Sequence, residues 1–309
     1  MCATFLILIM PVNMQETNYR HLFQSLQHPQ FERRQLQVLV LRADLLHPIV
    51  SGNKWMKLQP WLAKAKELGC NAIISKGGPW SNHLHAAAYA AHKQNLHFTA
   101  VVKASPGFMT PCLQDIVQWK GKLLYTDHTQ YQDEAYWENL AFVQDALYIP
   151  MGGEGLEGAA GVSAFFDQLP ADEFDYVLCP VGTATSFIGI AHSGFGFKNL
   201  VGFDPGINDP AYQAVLQQLS TLYPGKQFEI RSHSALKKFG KWPEFLPPKM
   251  NEWHHLWDLP TDIVYTAKMT WHFEQLLQED YFKACARILL IHTGGLQGNR
   301  SLPAGLLDF

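Results

Sequence analysis

The sequence predicts an α/β protein of two domains, each with a mostly parallel sheet flanked by helices. Three observations carry that expectation. Strand-like and helix-like segments alternate along nearly the whole chain, the pattern of parallel strands joined by crossover helices. The 309 residues exceed the roughly 100–200 that one domain uses. Hydrophobic residues make up 47% and charged residues 17%, which provides apolar surface for two cores and no signature of disorder.

The elements follow in order. Residues 36–41 form a compact apolar strand and 55–68 a helix. Residues 72–75 are a short β-type run that ends in Lys76-Gly77-Gly78, and the Ala-rich stretch 81–93 is helical. Strand 98–102, helix 110–119, strand 122–125, helix 133–143 and strand 147–149 complete the first half. The second half repeats the rhythm with helix 157–168, strand 176–179, helix 186–192, strand 200–203, helix 210–222, strand 228–230, helix 266–279 and strand 288–292. Residues 232–260 break it. Four prolines, Trp242, Trp253, Trp257 and Phe245 suggest a loop-rich insert with short helices.

Composition excludes several classes. The formal net charge is −3 and no basic block stands out, so nucleic acid is not an expected partner. The five cysteines show no metal or redox spacing, which fits free thiols in a reducing, cytoplasmic setting. Residues 3–10 are apolar, but no Lys or Arg precedes them. They fall far short of the roughly 20 residues that span a membrane. They read as a buried strand or an upstream extension, with Met14 as an alternative start. No HExxH spacing and no GxSxG elbow occurs, so neither a metalloprotease nor a serine hydrolase is indicated.

Five segments could carry chemistry. Ser51-Gly52-Asn53-Lys54 sets a lysine at the mouth of a helix, where the positive dipole end favours the free amine that an imine-forming lysine requires. Gly77-Gly78-Pro79-Trp80-Ser81-Asn82 opens a helix with favoured N-cap residues, and such an N-terminus offers N–H groups to a carboxylate. Gly182-Thr183-Ala184-Thr185 lies between strand and helix, where small and hydroxylated residues can converge on a phosphate. Val264-Tyr265-Thr266 and His292-Thr293-Gly294-Gly295 set polar groups at the edges of apolar runs. A rival is Gly153-Glu154-Gly155-Leu156-Glu157-Gly158, which matches the dinucleotide fingerprint and would mean a nicotinamide enzyme.

Together these segments resemble the tryptophan-synthase-β-like (fold type II) pyridoxal-phosphate enzymes, and within them the 1-aminocyclopropane-1-carboxylate deaminase and D-cysteine desulfhydrase group. The resemblance runs over residues 42–295 and rests on Arg42-Ala-Asp44-Leu-Leu-His47-Pro48, Ser51-Gly52-Asn53-Lys54, Gly77-Gly78 with Ser81-Asn82, Gly152-Gly153, the 182–185 loop, Val264-Tyr265-Thr266-x-Lys268 and His292-Thr293-Gly294-Gly295. It implies pyridoxal 5'-phosphate as cofactor, a small amino-acid substrate and a homodimer. It further implies that Lys54 holds the cofactor as a Schiff base and moves the α-proton. Asn82 would bond the ring oxygen, and Ser81 would meet the substrate carboxylate or assist proton transfer. Gly182, Thr183, Ala184 and Thr185 would cradle the phosphate. Tyr265 would line the substrate pocket, and Thr266, with Thr293 nearby, would sit at the pyridine nitrogen. The larger domain would comprise residues 1–57 and 166–309, the smaller one 58–165.

A hydroxyl at the pyridine nitrogen, where the ring-opening deaminases are expected to carry a glutamate, withdraws less charge from the α-carbon. That tilts the reading toward desulfhydrase-like β-elimination. The chain departs from the group at three points. Phe239 stands where a second active-site tyrosine is usual, Ala184 where glycine or serine is usual, and Met151 where an acid is common.

Overall fold

The computed structural model describes residues 19–236 and 238–309. The apolar run 3–10 and Met14 lie outside the described residues. The chain opens with β1 (Phe23–Leu26), the short α1 (Pro29–Arg33) and β2 (Gln37–Leu41). It continues with α2 (Asn53–Glu67), β3 (Ala72–Gly77), α3 (Asn82–Lys93), β4 (His97–Lys103), α4 (Pro111–Gln118) and β5 (Lys122–Thr126). Next come α5 (His128–Gln132), α6 (Glu134–Val143), β6 (Ala146–Ile149), α7 (Leu156–Phe166), β7 (Glu173–Pro180), α8 (Thr185–His192) and β8 (Gly196–Phe203). The chain closes with α9 (Ala211–Leu222), β9 (Gln227–Arg231), α10 (Leu246–Trp257), α11 (Thr266–Gln278) and β10 (Arg287–Ile291).

The strands form two sheets, one of six in the order β1-β2-β10-β7-β8-β9 and one of four in the order β5-β4-β3-β6. Every pairing is parallel except β1 with β2. The antiparallel edge strand β1 was not anticipated, because its four residues Phe-Gln-Ser-Leu bury only Leu26 and carry no apolar run. Both faces of the larger sheet are covered. Along β10, Ile288 and Leu290 enter the core beneath α10 and α11, while Leu289 and Ile291 enter the core beneath α7 and α8. A strand buried on both sides has no polar face to alternate with, hence its continuous apolar run. The smaller sheet packs α2, α3 and α4 on one face and α5 and α6 on the other.

Residues 232–260 hold more helix than expected. Leu246, Met250, Trp253 and Trp257 are spaced along one face of α10 and all are buried. Pro247 and Pro248 sit in the first turn, where their missing N–H groups cost no intrahelical bond. The tryptophans are core residues.

The dinucleotide reading fails on topology. Its fingerprint needs a strand, helix and strand within one sheet, but β6 and β7 lie in different sheets. The glycines serve helix packing instead. A Cβ on Gly158 would stand 1.9 Å from the Gly153 carbonyl oxygen, and one on Gly161 2.3 Å from that of Met56. Among the described residues no helix is long and apolar enough to cross a membrane, and the four described cysteines are unbridged.

Candidate active site

The C-terminal ends of four parallel strands, β3, β6, β7 and β10, deliver the glycine-rich segments singled out in the sequence. This is the edge at which open α/β sheets bind ligands.

Lys54 stands in the first turn of α2. The turn before it depends on Gly52, whose φ is +62° and whose Cβ would lie 1.9 Å from the Thr293 carbonyl oxygen. Only glycine allows that approach. The Asn53 N–H donates to the same oxygen at 3.2 Å, and Asn53 Nδ2 donates to Ser186 Oγ on α8 at 2.9 Å. The start of α2 is thereby pinned to the ends of β10 and α8. Lys54 Nζ donates to Asn53 Oδ1 at 2.8 Å. Burial lowers its pKa to about 8 against the opposing pull of Asp262, so the free amine is far more populated near neutral pH than in an ordinary lysine, though still the minor form.

The β7–α8 junction faces it. Ala184 takes a left-handed conformation, φ 56°, and caps α8 without a side-chain acceptor. The first-turn N–H groups of α8 therefore point out without a side-chain cap, as anion-binding helix starts do. Thr183 Oγ1 and Thr185 Oγ1 are 2.8 Å apart. Tyr212 of α9 donates its hydroxyl to the Gly182 carbonyl at 2.7 Å, which holds the loop from behind. From the β6 side, Gly152 (φ +74°) lets the backbone come against Thr183, with a Cβ position 3.3 Å from Thr183 Cγ2.

Lys57 completes this corner. It is buried one turn after Lys54, and its Nζ donates to the Gly152 carbonyl at 3.4 Å. Burial, then the Lys54 charge, lower its pKa well below the usual range. An anion at the neighbouring loop would offset that burial cost. The sequence reading missed both Lys57 and Tyr212. The i to i+3 spacing from Lys54 could have signalled Lys57, whereas no local pattern marks Tyr212.

The smaller sheet supplies the opposite wall. Ser81 caps α3 and accepts the Leu84 N–H at 3.2 Å. Gly77 leaves room for it, since a Cβ there would lie 2.6 Å from Ser81 Oγ. Asn82 Oδ1 accepts from Gln297 Nε2. His83 is buried behind them. Ser75 Oγ donates to the Ile149 carbonyl at 2.7 Å and so accepts from His83 Nε2 at 2.8 Å, which leaves His83 Nδ1 as a buried acceptor without a partner among the described residues.

Tyr265 and Thr266 lie at the start of α11. Gly182 is close to Tyr265, with a Cβ position 3.7 Å from the phenol oxygen. Burial and then Asp262 raise the Tyr265 pKa, so the phenol keeps its proton. Phe239 meets Tyr265 edge-on at 5.9 Å between ring centroids. The two Thr side chains differ. Thr266 Oγ1 donates to Asp262 Oδ1 at 2.7 Å and accepts the Asp262 N–H at 2.7 Å. Its hydrogen is therefore committed away from the pocket. Thr293 Oγ1 has no partner among the described residues, and of the two hydroxyls it is the one with a hydrogen to give. Asp262, which the sequence reading did not single out, caps α11 by accepting the N–H groups of Val264, Tyr265 and Thr266.

The set fits an anionic aromatic aldehyde: a partly deprotonated lysine, an uncapped helix start with two threonines and a buried lysine beside it, and a carboxamide across the cleft. No metal-ligand cluster occurs among the described residues.

No family model matches the sequence. A putative 1-aminocyclopropane-1-carboxylate deaminase of Thermotoga maritima is 25% identical over 297 residues, covering 86% of this chain and 91% of that protein. The crystal structure of an ACC deaminase homologue superposes with a TM-score of 0.74 at 22% identity, covering 90% of each chain. A pyridoxal 5'-phosphate-dependent aspartate racemase superposes at 0.63 with 12% identity over 88% of this chain and 90% of its own. In sequence and in fold, the chain resembles the fold type II pyridoxal-phosphate enzymes of the 1-aminocyclopropane-1-carboxylate deaminase and desulfhydrase group.

Proposed function

We propose that the chain binds pyridoxal 5'-phosphate and catalyses deamination of a small amino acid, with β-elimination from a D-cysteine-like substrate as the favoured reaction. The observation that carries this reading is the Lys54 amine, brought to a pKa of about 8 opposite the helix start formed by Gly182, Thr183, Ala184 and Thr185. Bound there, the cofactor supplies an aldehyde for an amine and an electron sink for charge developing at a substrate α-carbon.

The protein's part is positioning and proton movement. Lys54 Nζ holds the cofactor and takes the α-proton. The α8 N–H groups, Thr183, Thr185 and Lys57 hold the phosphate. Asn82 donates to the ring oxygen and Thr293 to the ring nitrogen. Ser81 and the first-turn N–H groups of α3 that its side chain does not cap receive the substrate carboxylate, and Tyr265 keeps its proton to donate at the substrate's far side. In this reading residues 58–165 are a smaller domain that carries Ser81 and Asn82 toward Lys54, held by residues 1–57 and 166–309.

Elimination is favoured over ring opening for two reasons. The Asp262 carboxylate is occupied by backbone N–H groups and Thr266, so a hydroxyl and not a carboxylate serves the ring nitrogen. Phe239 beside Tyr265 removes the second phenol that could deliver a proton. A thiolate leaving group carries its own electron pair away and needs neither. The overall balance is cysteine plus water giving hydrogen sulfide, pyruvate and ammonia. Phe239 also favours a second reading, a family member that binds the cofactor without turnover.

The test is keto-acid release from small D- and L-amino acids by wild type and Phe239→Tyr. Release from D-cysteine or a close analogue, absent in Lys54→Ala, is expected. Loaded protein that releases no keto acid from any of them supports the second reading, and protein that takes up no cofactor refutes both.

A further inference from the structure

We infer that Gln297 and Arg300 are positioning residues that fix which end of the Asn82 carboxamide faces the cofactor ring. The inference rests on the reading above that Asn82 meets the ring oxygen.

A carboxamide is nearly symmetric in shape, and its two ends differ in that one donates and the other accepts. An ionised ring oxygen needs the donating end, and the accepting end would set two oxygens against each other. Nothing in Asn82 itself selects between them, so the selection must come from a neighbour.

The neighbours supply it through a group that can only donate. Arg300 follows β10 and reaches across to α4, where its Nη2 pairs with Asp115 Oδ2 at 2.6 Å. His85 Nε2 on α3 holds the same carboxylate oxygen at 2.9 Å. Burial pushes the Asp115 pKa up, but the bonds from Arg300 and His85 outweigh it and leave it lowered, so the anchor stays charged. Arg300 Nη2 also donates to Gln297 Oε1 at 3.2 Å, and its Nε donates to the Gln297 carbonyl at 3.3 Å. With its oxygen taken by a guanidinium, Gln297 must present Nε2 on the other side, and there it meets Asn82 Oδ1. Asn82 Nδ2 is then the end left for the ring.

Two glycines make the contact possible. A Cβ on Gly295 would stand 2.6 Å from Asn82 Nδ2, and one on Gly298 3.4 Å from Oδ1. The series also joins the two sheets. Asn82, His85 and Asp115 ride on helices of the four-stranded sheet, whereas Gln297 and Arg300 follow a strand of the six-stranded one.

The test uses the full chain loaded with pyridoxal 5'-phosphate. Gln297→Glu keeps the shape but only accepts, so it draws Asn82 Nδ2 to itself and turns Oδ1 toward the ring. The expected result is roughly tenfold weaker cofactor retention, the scale of a hydrogen bond to a charged group, and an upward shift in the pH midpoint of the visible band. Gln297→Met, which adds no charge, and Arg300→Met, at an exposed edge, shift both in the same direction by less. Asn82→Ala measures the parent reading separately. A shifted midpoint in Asn82→Ala with wild-type behaviour in all three other variants overturns the relay and leaves the role of Asn82 standing. An unshifted Asn82→Ala removes both. If Gln297→Glu does not fold, Arg300→Met decides alone, and no shift there overturns the inference.

Discussion

Lys54 gathers in one side chain the effects that set its chemistry. It lies at the positive end of a helix and in a buried corner, and both disfavour its proton. Burial is the main cause, and the Asp262 carboxylate pulls the other way. Because the free amine is the reactive form, its rate of capturing added pyridoxal phosphate should rise with pH through about 8 and level above it. Stopped-flow absorbance on cofactor-stripped protein measures this, and a rate that is flat through that pH contradicts it. The lysine was legible in the sequence because its environment is local: a Gly-Asn turn opening a helix. Lys57, Tyr212 and Asp262 were not singled out. Lys57 looks like any helix residue until the turn after β6 meets it, Tyr212 reaches the loop from α9, and Asp262 gains its role by accepting three successive N–H groups. The assignment of Thr266 changes for a related reason. Sequence can place a hydroxyl near a ring nitrogen, but not tell whether its hydrogen is already given to Asp262.

At the scale of elements, the strand–helix junctions were the legible part, since glycine and hydroxyl residues there are required by backbone geometry and not only by the ligand. Gly52 is such a case, with a positive φ and a carbonyl where its Cβ would be. Ala184 is the exception, an L-residue held at φ 56°, a conformation that costs about 1–2 kcal/mol. Ala184→Gly should relieve that strain, less the extra freedom glycine gains in the unfolded chain, for a net gain of roughly 0.5–1 kcal/mol. Urea unfolding of cofactor-free protein checks it, and an equal loss would show that the alanine methyl contributes packing that outweighs the strain. Where short helices in a loop-rich insert were expected, α10 is a full helix of twelve residues. Its prolines and tryptophans suggested irregular chain, but prolines in a first turn are compatible with helix, and the tryptophans at helical spacing are core. β1 escaped notice because an edge strand with a single buried residue has no periodicity to detect.

At the scale of the molecule, the alternating pattern foretold two mostly parallel sheets, but not the ties that fix the walls of the site. One tie is the buried Arg42–Asp44 pair. Arg42 Nη2 lies 2.8 Å from Asp44 Oδ2, and Arg42 Nη1 reaches the Asp258 carbonyl at 3.1 Å. Asp44 Oδ1 lies 3.2 Å from His292 Nδ1. This sets the chain entering α2 against the end of β10, so the lysine and the Thr293 segment share one frame. The sequence showed these residues as a motif, while their convergence depends on β2 and β10 being neighbours in the sheet. The other tie, from Asp115 through Arg300 and Gln297 to Asn82, joins residues as many as 215 positions apart and could not be read from local pattern. Both ties serve a single arrangement, in which one wall carries the lysine and the 182–185 loop and the facing wall carries the carboxamide.

That arrangement is tested most directly by trapping the lysine. Protein incubated with pyridoxal phosphate, reduced with borohydride and digested should yield one peptide carrying the reduced cofactor on Lys54, and Lys54→Ala should yield none. An adduct on another lysine, Lys57 included, or no adduct at all, would contradict the account.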